Sequence, residues 1–140
     1  MTKYGFFSVV CAREGDGGIG QRVDLTKVMV RARDKAHLKN LMERCPNWLH
    51  GHTIHESDNS DYPCRIFMQK NIWEMIVSDI IKEMDYDNFK SEVHRGELTD
   101  PRYEDALMST WGTMHRVTPP RAGDGESTIP AYSRADGSIG

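Results

Sequence analysis

Lys27 to Arg33 reads KVMVRAR, and its alternation decides the fold. In an extended chain Val28, Val30 and Ala32 fall on one side, and Met29, Arg31 and Arg33 on the other. A period of two predicts a strand with one face in a core and the other toward water. Upstream, Tyr4 to Cys11 (YGFFSVVC) is dense in aromatic and β-branched residues and predicts a buried strand. The polar stretch AREGDGGIGQRVDLT separates the two, so they are expected to pair antiparallel through a long glycine-rich loop.

Downstream, Asp34 is a good N-cap, and Leu38, Leu41, Met42 and Cys45 follow at helical spacing. Pro46 is expected to end that helix. Asn47 to Asp61 is polar and reads as a loop or irregular strand. Tyr62 to Met68 (YPCRIFM) predicts another strand, with Cys64, Ile66 and Met68 on one face and Arg65 and Phe67 on the other. Asn71 to Met84 predicts the clearest helix, with Trp73, Ile76, Val77, Ile80, Ile81 and Met84 as its apolar stripe. A turn at Asp85 leads toward a short helix carrying Tyr86, Phe89 and Val93 and closed by Gly96. Asp100 and Pro101 then open a last helix carrying Tyr103, Leu107, Trp111 and Met114.

The order β-β-α-β-α-α-α predicts an α+β fold: a small, mainly antiparallel sheet with helices packed on one face. Residues 1–117 are expected to form a single domain, and residues 118–140 a flexible C-terminal tail rich in proline and glycine.

The chain has 140 residues and a formal charge of -3, which suits one domain and argues against a general polyanion binder. Charge is unevenly spread. Arg13 to Arg44 holds eight basic and five acidic residues, whereas Glu83 to Asp105 holds three basic and eight acidic ones. No apolar run is long enough to span a membrane, and no signal-peptide pattern opens the chain, so no membrane association is expected. Cys11, Cys45 and Cys64 are odd in number and lack paired spacing, which suggests free thiols and a cytoplasmic setting.

Several motifs bear on chemistry. Gly15, Gly17 and Gly20 satisfy G-x-G-x-x-G, but the next residues lead into a strand rather than a helix, so a dinucleotide site is not expected. The loop can still meet a partner at Gly17 and Gly18, where glycine permits close backbone approach. Cys45, His50, His52 and His55 are zinc-ligand types, yet their spacing lacks the tight pairs of real sites, and no metal or other cofactor is expected. Ser8 and Cys11 lie in an apolar strand without a nucleophile motif. Asp85 and Asp87 flank Tyr86 at a helix start, where capping explains them. Arg31, Arg33 and Arg65 are expected on one open sheet face with Phe7 or Phe67 nearby, a pattern suited to phosphate, carboxylate or stacked bases.

The fragments YGFFSVVCA, MVRARDKAHLKNL, DYPCRIFM and DYDNFKSEV, with YEDAL and W-x-x-M after them, together resemble a group of small bacterial and phage or plasmid proteins of no known activity. The resemblance runs from Lys3 to Arg116 and implies a standalone small cytoplasmic protein from a mobile element. It brings no catalytic residues.

The expected function is a non-enzymatic binding protein acting by protein–protein contact, in its phage version an inhibitor of a host or defence protein. Asp85, Asp87 and Glu92 in the acidic segment would meet a basic groove on that target. The alternative is a nucleotide or RNA binder using Arg31, Arg33 and Arg65. A third is a metal-dependent enzyme at the histidine-rich segment. Homo-oligomers are compatible with all three.

Overall fold

The computed structural model describes residues 1–96 and 100–121. The chain divides into two compact units, Met1–Met84 and a second beginning at Asp85. The sequence reading placed no boundary there. Most of the expected tail lies outside the described residues.

The first unit holds β1 (Ser8–Arg13), β2 (Val23–Ala32), α1 (Lys35–Arg44), α2 (Pro46–Leu49), β3 (His55–Glu56), β4 (Cys64–Gln69) and α3 (Lys70–Lys82). Its four strands form one sheet in the order β1-β2-β4-β3, with every neighbouring pair antiparallel. The fold is thus α+β, as the alternation predicts. In β2 and β4 the pairs Val28/Met68, Val30/Ile66 and Ala32/Cys64 face each other. All six side chains are buried, and they join Leu38 and Leu41 of α1, Leu49 of α2 and Ile76 of α3 in one core. Burying each Leu, Ile or Val here stabilises the fold by about 1.5–3 kcal/mol. Helices α1 and α3 both pack on β2 and β4 at this face.

Helix α1 starts where expected: Asp34 Oδ1 accepts the Ala36 amide at 2.9 Å. Pro46 does end it, but also opens α2, whose first turn tolerates a residue without an amide hydrogen. Strand β3 is a two-residue edge piece, too short for its period to register.

The first strand departs from expectation. It begins at Ser8, not Tyr4, and lies at the sheet edge, half-buried rather than buried. Residues 2–5 form a turn instead, closed by Thr2 and Gly5. Gly5 has φ +154°, and a Cβ there would lie 2.4 Å from His37 Cγ. Phe7 packs toward the helix-covered core, with its ring edge-on to His37 at 6.5 Å. It therefore does not join the open face. Tyr4 is buried, its hydroxyl donating to the Glu83 carboxylate, which also pairs with Arg44. Asn40 Nδ2 donates to the Tyr4 carbonyl at 3.0 Å, so the N-terminal turn is tied to α1 and to the end of α3.

Helix α3 buries Ile76 and packs Ile72, Trp73 and Ile80 against the core, while Ile81 and Met84 of the expected stripe are exposed. Met84 lies past the helix end at Lys82, where the helical period no longer governs direction, and Ile81 lies in the helix's last turn.

In the second unit α4 (Phe89–Arg95) and α5 (Pro101–His115) bury Val93, Tyr103 and Leu107, with Phe89 and Trp111 packed around them. The cap of α4 is Asn88, whose side chain accepts the Ser91 amide, so Asp85 and Asp87 are not the caps. Asp100 caps α5 as expected, accepting the Tyr103 amide at 3.0 Å, with Pro101 behind it.

Two outcomes follow. Gly5→Ala should destabilise the first unit by about 1–3 kcal/mol, from overpacking against His37. Adding His37→Ala should recover part of that loss, a non-additivity measurable by denaturant melts of both single variants and the double variant. For α5, the Arg102 guanidinium and then the Tyr103 amide hold the Asp100 carboxyl below its ordinary 3.8. A depressed folded pKa means its stabilisation is present above 3.8 and is lost as pH falls through the lower folded value. Asp100→Asn keeps the cap oxygen but loses the charge, so the acid limb of the helix-melting profile should flatten and stability near neutrality should fall slightly toward the wild-type value at low pH.

Candidate sheet-face binding site

The face of the sheet opposite α1 and α3 is set by the same pairing. Because neighbours in register share a face, Ser8, Arg31, Arg65 and His55 form one row across β1, β2, β4 and β3. The next row is Val10, Met29 and Phe67. A cationic row thus runs beside an apolar one, two residues or about 6.7 Å along the strands. Val10 and Phe67 are exposed, and the exposed His55 ring meets Phe67 edge-on at 5.5 Å.

The guanidinium groups are held in place. Arg31 Nη2 donates to Ser8 Oγ at 2.6 Å. Arg31 Cζ lies 4.7 Å from the centroid of the Tyr62 ring, and Arg33 Cζ lies 4.8 Å from it. Arg65 Nη2 donates to the Tyr62 carbonyl at 3.4 Å. Tyr62 therefore holds two arginines on its ring and a third at its backbone carbonyl. A strict alternation back from Cys64 would put Tyr62 on the core side. The chain bends at Asp61 and Tyr62, ahead of Pro63 and β4, and that bend frees the ring to meet the arginines.

Electrostatically the cluster is unbalanced. Among the described residues no carboxylate pairs with Arg31, Arg33 or Arg65, whereas Lys35, Arg44, Arg95 and Arg102 all have acidic partners. Arg31 and Arg65 are direct cross-strand partners, an arrangement of like charges that costs stability. Arg31 Nε is buried without a hydrogen-bond partner.

The structure brings together Arg31, Arg33 and Arg65 as the alternation predicts, with Phe67 beside them. It adds Tyr62, Ser8 and His55, which the sequence reading did not place there.

The remaining candidates are separate. Gly17 and Gly18 are exposed in the β1–β2 loop, where Gly18 N donates to Asp16 Oδ1 at 2.9 Å and Gly17 has φ +78°. Arg13 Nη1 ties that loop across to the carbonyls of Ile19 and Gln21. Cys45 and Cys64 are buried in the core, and burial pushes both thiols up, away from the thiolate a metal needs. His50 and His55 are exposed. Among the described residues no three His, Cys, Asp or Glu side chains gather as a metal site.

In the acidic segment much of the charge is already matched. Glu83 meets Arg44 and Tyr4, Glu92 meets Arg95, and Glu104 meets His94. Asp85 and Asp87 remain exposed. Among the described residues no helix is long and apolar enough to cross a membrane. No family model matches the chain, and no curated protein or solved structure matches it.

The cross-strand arginine pair makes a measurable statement about stability. Arg65→Thr keeps a strand-favouring residue and removes one like charge. It should stabilise the first unit by about 0.2–1 kcal/mol at low ionic strength. The gain should shrink as salt approaches molar concentration, where the screening length falls to about 3 Å. Thermal melts at two salt concentrations read both effects.

Proposed function

We propose that this chain is a non-enzymatic binding protein whose working surface is the open face of the sheet. The observation that carries the proposal is the set of three fixed arginines around Tyr62 with no carboxylate partner among the described residues. A positive surface kept in place without internal neutralisation suits an anionic partner, and arginine adds the directional, bidentate contacts that make such a surface specific.

A protein partner presenting an acidic patch fits best. The whole chain carries -3, and residues 85–140 hold 6 basic against 10 acidic side chains. Repulsion from that excess penalises a long polyanion more than a local patch. The apolar row of Val10, Met29 and Phe67 beside the arginines supplies the contact area a protein interface needs. A narrower version of this reading is inhibition of a host or defence protein. Asp85, Asp87 and Glu92 then form a second, weaker contact, Glu92 being already paired with Arg95.

A nucleotide or single-stranded RNA is the second reading, favoured by the exposed Phe67 and His55 rings beside the cations.

Retention of native-host proteins by the immobilised chain separates these. The triple variant Arg31→Ala, Arg33→Ala, Arg65→Ala should keep the fold, by its far-UV spectrum, and lose the retained partner. Loss of retention on nuclease treatment of the wild type would transfer the function to nucleic acid. Undiminished retention by the folded triple variant would remove this face from the account.

A further inference from the structure

We propose that the Arg31–Arg65 pair with Arg33 is a phosphoryl-binding site, and that its ligand is a phosphorylated side chain on the partner protein. The proposal rests on the protein-binding function given above, and it specifies the group recognised.

Charge count is the first support. Arg31 and Arg65 oppose each other directly across β2 and β4, and Arg33 shares the Tyr62 ring with Arg31. A single carboxylate neutralises one of these cations and leaves a repelling pair. A phosphodiester, as in nucleic acid, also carries one charge per group. A phosphate monoester carries close to two and presents three acceptor oxygens, so it relieves the cross-strand repulsion most fully.

Donor geometry is the second support. Arg31 Cζ and Arg33 Cζ lie 4.7 and 4.8 Å from the centroid of one ring, so a single side chain orders both guanidiniums. Arg65 is anchored to the backbone of that same tyrosine. Ser8 Oγ, already bonded to Arg31 Nη2, sits in the same row. Arg31 Nε lacks any partner although it is buried. Closed to solvent, that donor is a cost the free cluster carries and not itself a contact for the ligand, because an unmade buried hydrogen bond is costly. The stack on Tyr62 restrains two of the side chains in advance, which lowers the entropy lost on binding.

Titration of the wild-type protein at one ionic strength and about pH 7.5 tests this, a pH above the monoester's second pKa of about 6. The probes are N-acetyl-O-phosphoserine amide, dimethyl phosphate, acetate and AMP, read by the NMR signals of the arginine Nε–H groups. The phosphoserine probe should shift the Arg31 and Arg65 signals and bind roughly tenfold or more tightly than dimethyl phosphate or acetate. Arg65→Gln, which leaves the Ser8 and Tyr62 contacts of Arg31 in place, should lose about that factor without loss of thermal stability. Equal binding of all four anions, or wild-type affinity in Arg65→Gln, would overturn the phosphoryl site. Partner retention that still depends on the three arginines would leave the protein-binding function standing. Tighter binding of AMP than of the phosphoserine probe would overturn the protein source of the phosphate.

Discussion

The structure of the first unit depends on a single packing constraint. Val28, Val30 and Ala32 of β2 and Cys64, Ile66 and Met68 of β4 must share one face, because that is the apolar surface that α1 and α3 cover. A slip of one residue in either strand would carry its apolar set to the opposite side. The register is therefore fixed by burial, and everything on the far face inherits it. Arg31 stands opposite Arg65 because Val30 stands opposite Ile66.

That inheritance explains how a costly arrangement persists. Like charges placed directly across a ladder weaken a sheet. Here the core pairs on either side of the arginines dictate the pairing, and the Tyr62 ring and Ser8 hydroxyl offset part of the repulsion. Carboxylates are available elsewhere, since Arg44, Arg95 and Arg102 each find one. A cluster left positive amid such pairing is the feature on which the proposed binding function rests, and cations so placed would raise the rate of capture of an anionic partner.

The central strand, the second half of the sheet and the start of α5 were legible because each carries its information locally. KVMVRAR alternates, RIFM alternates, and Asp100-Pro101 is a cap followed by a residue suited to the first turn. The three arginines were legible for the same reason. What was not legible depended on contacts distant in sequence. Tyr4 and Gly5 look like strand, but a buried hydroxyl bonded to Glu83 and close approach to His37 make them a turn. Phe7 looked a candidate for the open face, but the ring of His37 lies on its side. Tyr62 escaped notice because the bend before Pro63 breaks the alternation that would assign its face. β3 is two residues long and exists only through its pairing with β4.

The central claim is that one side of β2 belongs to the core while the other presents cations to solvent. Brief labelling of the native protein with an arginine-selective dicarbonyl, mapped by mass spectrometry, addresses it most directly. Arg33 and Arg65 should label readily in the folded chain, and no faster after unfolding than solvent exposure alone explains. Protection of both until the chain unfolds would mean that this face is covered, and would contradict the account.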